Sequence, residues 1–462
     1  MTIEQLKIIL SGQPKDVVTA LQKSSFVLPG WADLDKQYDP LKHRIITDTS
    51  AYPPKLNELG QDEFKRTPYA LQKLAVNRIS QALFAQPVER LYSSEEETDN
   101  SRKAKDILEQ IYKTDNYIDS ENIERGKSLN KSCQIATVWK VFEKPNIVKG
   151  IQAKLKLTHK TYSEPDGYKL YPQIDENGDL IVLTILYTDS EQKEHCFVYA
   201  NLEKPVLLVY DKLADWVQNT DLSKELTFFP VIYGNISEPV WGGLAGTKIV
   251  EEIEEIENFD SLYIKKNASP VFVLDMGDTS GMKGSDVTEK TDDAKRIIKV
   301  GKGGTINDAT WAGAPESTNN KLKRLRNAFF EQNQFPDSSF ANFLGSNTSA
   351  DNKELLFSDS RSKAEDLAGE WEKFFYAELN IIKEFAKIMF PSLATEFDGF
   401  SIRSVVKPYS IRTKKENAEY VSIAGNSMSQ ETKVRVLGEV DDISKEVEDI
   451  NSEQSAAANQ GF

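Results

Sequence analysis

The 462-residue chain is poor in the side chains on which most catalysis and most export-adapted folds depend. It has two cysteines, Cys133 and Cys196, and three histidines, His43, His159 and His195. Two thiols do not make a disulfide framework, and they read as buried, reduced side chains of an intracellular protein. The histidines lie in unrelated contexts, with neither HExxH nor paired-cysteine spacing, so a zinc site is not expected. His195 and Cys196 are neighbours, but adjacent side chains of a strand point to opposite faces and do not form a nucleophilic dyad. No run approaches the ~20 apolar residues that cross a bilayer. The opening MTIEQLKIILSGQPKD has only a three-residue apolar run and does not read as an export signal. Glycine (24) and proline (18) are too few for a fibrous or low-complexity chain.

Positive charge is scarce as well. Lys and Arg total 57 against 72 Asp and Glu, a net charge of −15. Proteins that grip nucleic acid carry a basic footprint, so this balance argues against a simple nucleic-acid binder. Nucleotide motifs are missing. Gly301-Lys302-Gly303-Gly304 lacks the upstream glycine and the Ser or Thr after lysine of a phosphate loop, and Gly242-Gly243-Leu244-Ala245-Gly246 has the wrong spacing for a dinucleotide fingerprint. None of the acidic clusters has the alternating pattern of a calcium loop. The reading is a non-enzyme without cofactor or metal.

What is present builds cores: 39% of residues are hydrophobic and 10% aromatic. At roughly 150 residues per domain the length suggests about three structural units. The first hundred residues read as helices joined by loops, with a helix over 68–84 behind Pro68 and another over about 102–113. Residues 134–233 change texture to short β-branched and aromatic runs such as QIATVWKVF, DLIVLTILYTD and PVLLVYD, punctuated by EPDG and DENG, and predict an antiparallel sheet region. Over 244–266 a long helix returns. Ile249, Ile253, Ile256, Phe259 and Tyr263 form its apolar stripe, and Glu251, Glu252, Glu254, Glu255, Glu257 and Asp260 fill much of the remainder.

Residues 271–318 hold seven glycines and two strand-like runs, PVFVLDM and RIIKVG, and read as a small irregular insertion. A basic helix, NKLKRLRNAFFEQN (320–333), follows, then a Phe/Asn/Ser-rich loop to 352. A very long helix over about 353–390 carries Leu367, Trp371, Phe375, Leu379, Ile382, Phe385 and Met389 at helical spacing. The last fifty residues read as two or three short helices, with Ser427 and Gln430 as a capping box and Gly425 and Gly438 as breaks. The fold class expected is α+β, mainly α.

This order of segments resembles the portal proteins of tailed bacteriophages. The resemblance is carried by RTPYALQKLAVNRISQALFAQPVERLY (66–92), by FFPVIYGNISEPVWGGLAGTKIVEEIEEIENFDSLYIKKNASPVFVL (228–274), and by SMSQETKVRVLGEVDDISKEVEDINSEQ (427–454). It implies a portal fold in a ring-shaped oligomer. Residues 1–240 and 353–410 would be the wing, 241–270 and 319–334 the stem helices, 271–318 the clip, 335–352 the tunnel loop and 411–462 the crown. It further implies a homo-dodecamer at one capsid vertex, assembled in the host cytoplasm and carried in the virion, through which double-stranded DNA is packaged and ejected. The implied partners are the DNA, the major capsid protein, the terminase large subunit, head–tail adaptor or neck proteins and a scaffold protein, with no membrane. ATP hydrolysis would belong to the terminase, in keeping with the missing phosphate loop. Another ring-forming head–tail connector or virion structural protein is the alternative.

On that resemblance Glu251, Glu252, Glu254, Glu255, Lys321, Lys323, Arg324 and Arg326 would line the stem channel. The four cations either pair with acids of the neighbouring stem helix or touch phosphates. Phe340, Asn342 and Phe343 would approach the duplex in the tunnel loop, with Ser346, Asn347, Thr348 and Ser349 as a low-preference sliding surface; an ordinary loop is the plainer reading. Trp311, Lys299 and Lys302 would serve the clip interface. The negative balance then argues only against gripping DNA, since acidic walls centre a duplex by short-range repulsion.

Overall fold

A computed structural model describes residues 1–25, 27–54, 66–93, 98–267, 271–275, 288–290, 296–300, 315–335, 358–407, 414–438 and 446–453. The chain opens with two short helices, α1 (Ile3–Leu10) and α2 (Pro14–Leu21). The first is closed by a capping box in which Thr2 and Gln5 satisfy each other's backbone. Next come α3 (Trp31–Tyr38), the single turn α4 (Arg44–Thr47), α5 (Leu71–Phe84), a short strand β1 (Glu89–Ser93), α6 (Asp99–Glu109) and α7 (Ile118–Ser132).

Two boundaries differ from the sequence reading for physical reasons. Helix α5 begins at Leu71 rather than at Pro68, because the backbone N–H groups of Thr67 and Tyr69 are donated to side chains of a distant helix. Helix α6 starts at Asp99 behind a Thr98–Ser101 capping box and gives way after Glu109 to a wide turn at Gln110–Asp115. Helix α7 was not anticipated, as its polar sequence IDSENIERGKSLNKS carries little apolar period.

The predicted sheet region is present, but as two sheets. Strands β2 (Gln134–Val148) and β3 (Ile151–Ser163) form a long antiparallel hairpin. Lys149 and Gly150, at φ 47° and 78°, make the two-residue turn whose left-handed backbone suits such a hairpin. The second sheet is an antiparallel meander of β4 (Lys169–Ile174), β5 (Leu180–Thr188), β6 (Glu194–Ala200), β7 (Val206–Lys212) and β8 (Trp216–Gln218), with β9 (Lys224–Glu225) also paired to β7. Strand β10 (Val231–Asn235) returns to the first sheet beside β2. Ala136, Val138, Tyr162 and Val231 of the first sheet pack with Leu183, Ile185 and Tyr199 of the second. The other face of the meander is covered by Leu6, Val17, Val18 and Leu21 of α1 and α2. Strand β5 is therefore buried on both faces, which explains its unbroken apolar run. Cys196 is buried while its neighbour His195 is held by Asp189 and Asp211, so the pair does point apart.

Then follow the long helix α8 (Gly243–Asn267) and the strands β11 (Val271–Asp275), β12 (Thr288–Lys290) and β13 (Arg296–Val300). Helix α9 (Pro315–Gln332) precedes α10 (Ser358–Met389), the short α11 (Ala394–Asp398), and β14 (Ser401–Val405), which pairs with β1. The described C-terminal part is helical, with α12 (Lys414–Ala424), α13 (Gln430–Leu437) and a last helix over 446–453. Ser429, not Ser427, caps α13, accepting from the Thr432 N–H; Gly438 ends it at φ 66°. Mixed helix and sheet is the expected α+β class. Among the described residues no helix is long and apolar enough to cross a membrane.

The main core lies where α5, α7 and α10 meet β2. Phe84, Trp371 and Phe375 stack and edge against one another at 5.0–6.1 Å. Gly126 of α7 lets the Phe84 ring approach so closely that a β-carbon there would lie 2.8 Å from it. At the centre, the buried Glu378 carboxylate accepts from the Tyr112 hydroxyl, the Trp139 indole and Arg125, at 3.0, 3.0 and 3.1 Å.

Candidate DNA-facing helix pair and its anchor

Helix α8 opens on Gly242 and Gly243, both at positive φ (74° and 55°). Gly246 has no room for a side chain either, since a β-carbon there would strike the Trp241 carbonyl. The face that α8 buries matches the expected apolar stripe only in part: Ile253 is buried and Ile249 packs against the main core, but Ile256 is half-buried and Phe259 is exposed. Thr247, Val250, Ile253, Glu254 and Asn258 are buried, whereas Phe259 is 60% exposed and Leu244 70% exposed.

Glu254, expected to line a channel, is instead fully buried. Its carboxylate accepts from the Tyr69 backbone N–H at 2.7 Å and lies 2.6 Å from Nδ1 of the buried His43. The other ring nitrogen of His43 donates to the Gln37 carbonyl at 2.9 Å. With an acceptor at each nitrogen, the doubly protonated imidazolium satisfies both. Burial alone would push His43 down, but the Glu254 carboxylate and the Gln37 carbonyl hold it above its ordinary value. Asn258 accepts from Thr67 N–H, and Gln37 accepts from Trp241 and Thr247. The sequence offered one signal for this anchor, namely polar residues at 247, 254 and 258, seven and four apart on one helical face.

The remaining predicted stem acids lie off that anchor. Glu255 is exposed and Glu251 and Glu252 are half-buried. Glu251 pairs with Lys248 of its own helix at 2.6 Å, and Glu252 with Lys321 of α9 at 2.6 Å. Helix α9 buries Phe329 and Phe330 and exposes Lys321, Lys323, Arg324 and Arg326.

The two helices run antiparallel. Glu252 meets Lys321, while Val240, twelve residues earlier, shares a hydrogen-bonding partner with Asn333, twelve residues later. Between them, β11 runs parallel to β13 with Leu274 opposite Lys299, and β12 pairs antiparallel to β13. Trp311 and Lys302 of the insertion lie outside the described residues, as do Phe340, Asn342, Phe343, Ser346, Asn347, Thr348 and Ser349.

No curated protein matches the chain. A family model does, over residues 249–460, and its description is phage portal protein, SPP1 Gp6-like. That span takes in most of α8, the strand insertion, α9, α10 and the C-terminal helices. The match covers a little under half of the chain and supports a phage portal protein.

Proposed function

We propose that twelve copies of the chain form a ring at one capsid vertex, and that double-stranded DNA enters and leaves through its centre. The observation that carries this reading is the antiparallel pair α8–α9, cross-linked by Glu252 and Lys321 and enclosing a small strand module, within the region of the family match. In this arrangement 241–270 and 319–334 are the stem, 271–318 the clip, 335–352 the tunnel loop, 1–240 with 353–410 the wing, and 411–462 the crown. Trp311, Lys299 and Lys302 serve the clip interface, and the ring is the docking site of the terminase large subunit and of the head–tail adaptors. The major capsid protein and a scaffold protein meet the outer surface of the ring, which assembles in the host cytoplasm and stays in the virion.

A conduit must hold a duplex without binding it. DNA carries one negative charge per about 1.7 Å, and neutralising six to ten phosphates already gives strong, salt-sensitive binding. Glu251, Glu252, Glu255, Glu257 and Asp260 supply five acids per subunit, sixty in a ring of twelve, with Glu254 withdrawn into the anchor. Screening over about 8 Å leaves a short-range repulsion that centres the duplex. Lys321 is neutralised by Glu252. Lys323, Arg324 and Arg326 are the cations placed for phosphate contact or for acids of a neighbouring subunit. Phe340, Asn342, Phe343 and the polar run Ser346–Ser349 form the sliding surface of the tunnel loop.

Negative-stain imaging of the purified protein tests the reading. A twelve-fold ring with a central hole wide enough for a duplex is expected; a monomer, or a closed assembly without a hole, overturns it. Replacing 340–349 by a short Gly-Ser linker should leave the ring intact and damage packaging or retention of DNA. Normal phage yield from that variant would refute the loop's role.

A further inference from the structure

The start of α8, the end of α9 and the beginning of α10 meet at one side chain. Lys363, five residues after the start of its helix at Ser358, is half-buried. Its ammonium donates to the Val240 carbonyl and to the Asn333 carbonyl, each at 2.9 Å. It also sits 4.9 Å from the centre of the Phe335 ring. Burial pushes the amine down to about 8, against the opposing pull of Glu238. A lysine is desolvated this far only where the surroundings supply compensating acceptors, and here there are two carbonyls and an aromatic face.

The carbonyls it serves have special positions. Val240 is buried and lies two residues before the Gly242–Gly243 turn into α8, and its own N–H donates to the Asn130 carbonyl of α7. Asn333 follows the last residue of α9, and its side-chain amide donates back to the Phe329 carbonyl. Its Oδ1 lies 2.9 Å from where a β-carbon on Gly242 would stand, so the two helix ends are already in van der Waals contact. Both carbonyls fall at points where no regular helical partner is available, and a buried carbonyl needs one. A single ammonium thus joins segments 123 and 30 residues away along the chain.

We infer that Lys363 is a positioning residue that fixes both ends of the 336–357 segment against the start of α8. One end is held through Asn333 and Phe335, the other through the helix that carries Lys363 itself. The inference rests on the portal reading only for its consequence. If 335–352 is the tunnel loop, Lys363 sets where that loop stands in the channel, and its loss releases packaged DNA rather than preventing ring formation.

Hydrogen-exchange mass spectrometry of the full-length protein tests the clasp directly. In Lys363→Met, of similar length but without donors, peptides covering 240–246 and 329–335 should exchange about ten-fold faster, with β4–β8 unchanged, because two buried carbonyls lose their partner. Lys363→Arg, which can donate to both carbonyls, should restore most of the protection. Unchanged exchange in those peptides of Lys363→Met, or acceleration spread over the whole chain, overturns the proposal. If Lys363→Met does not fold, Phe335→Leu, which removes only the aromatic face, should raise exchange in the same peptides about two- to three-fold; no change there overturns it as well. In complemented phage, Lys363→Met should give twelve-fold rings and reduced retained DNA, with recovery in Lys363→Arg. Retention equal to wild type in Lys363→Met sinks the link to the loop. A wild-type protein that forms no ring would sink the portal reading and leave the exchange result standing.

Discussion

Helices α8 and α10, 25 and 32 residues long, are the two longest among the described residues, and the stripes they bury differ in polarity. Along α10 the buried positions are Trp371, Phe374, Phe375, Leu379, Ile382, Phe385 and Met389, interrupted by the single fully partnered Glu378. Along α8 Thr247, Glu254 and Asn258 share the buried face with Val250 and Ile253, while apolar Leu244 and Phe259 face out. Helix α10 is held by area removed from water, which is non-directional and tolerant of small shifts. Helix α8 is held by hydrogen bonds to Gln37, His43, Thr67 and Tyr69, which fix its rotation about its own axis. A helix that must present a defined charged face, with its apolar surplus turned away from its own subunit, needs the second kind of attachment.

Four experiments probe that contrast. Phe375→Ala, in the fully buried aromatic stack of α10, should destabilise the protein by about 3–5 kcal/mol, read as the shift in the urea unfolding midpoint. A loss under 1 kcal/mol would show that α10 is not a core helix.

On α8 the comparable change is polar. Glu254→Gln should cost about 2–4 kcal/mol, because it leaves buried His43 without its carboxylate. The cost should depend on pH. The folded His43 lies above its ordinary value of 6.5, so the stability it contributes is fully present below that value and fades as pH rises through the higher folded value. The difference between wild type and Glu254→Gln should therefore shrink from pH 6 toward alkaline pH. A difference that is constant, or that grows, rules out a charged His43.

Smaller still is the helix–helix pair. Glu252 and Lys321 are each about half exposed, so a double-mutant cycle through Glu252→Lys and Lys321→Glu should give a coupling of only about 0.2–1 kcal/mol, reduced by salt. Zero coupling, or coupling insensitive to salt, would remove the cross-link from the account of α8–α9. Least of all, Phe259→Ser should change the stability of the isolated subunit by less than about 0.5 kcal/mol while impairing ring formation, seen by mass photometry. A large loss of subunit stability would mean that Phe259 belongs to the core and that the contrast between the helices is false.

The same contrast explains what could be read from the amino acids. Helix α10 was legible because its apolar residues recur at helical spacing and the structure buries most of them together. The strand runs between 134 and 212 were legible for a similar reason, since β-branched and aromatic residues alternate between clear turn signals. The two-sheet arrangement was not, because the run in β5 has no polar face to show which side it turns to which neighbour. For helix α8 the sequence places the limits nearly right and the buried face only in part. Its apolar stripe at Ile249, Ile253, Ile256 and Phe259 competes with a polar set whose partners, His43 and Tyr69, lie 211 and 185 residues from Glu254. Local periodicity carries no information about a partner that far away. Lys363 was invisible for the same reason, as nothing in its own segment distinguishes it from the other lysines of a charged helix.

Glu378 carries a consequence for the order in which the molecule is completed. Its three donors, Tyr112, Arg125 and Trp139, precede it by 266, 253 and 239 residues. At synthesis rates of about 5–20 residues per second, those donors leave the ribosome tens of seconds before the carboxylate that they all require. Through that interval the guanidinium, the indole and the phenol have water in place of the acceptor that the folded core gives them. The core that α7 and β2 build around those donors is therefore completed only once α10 has been made.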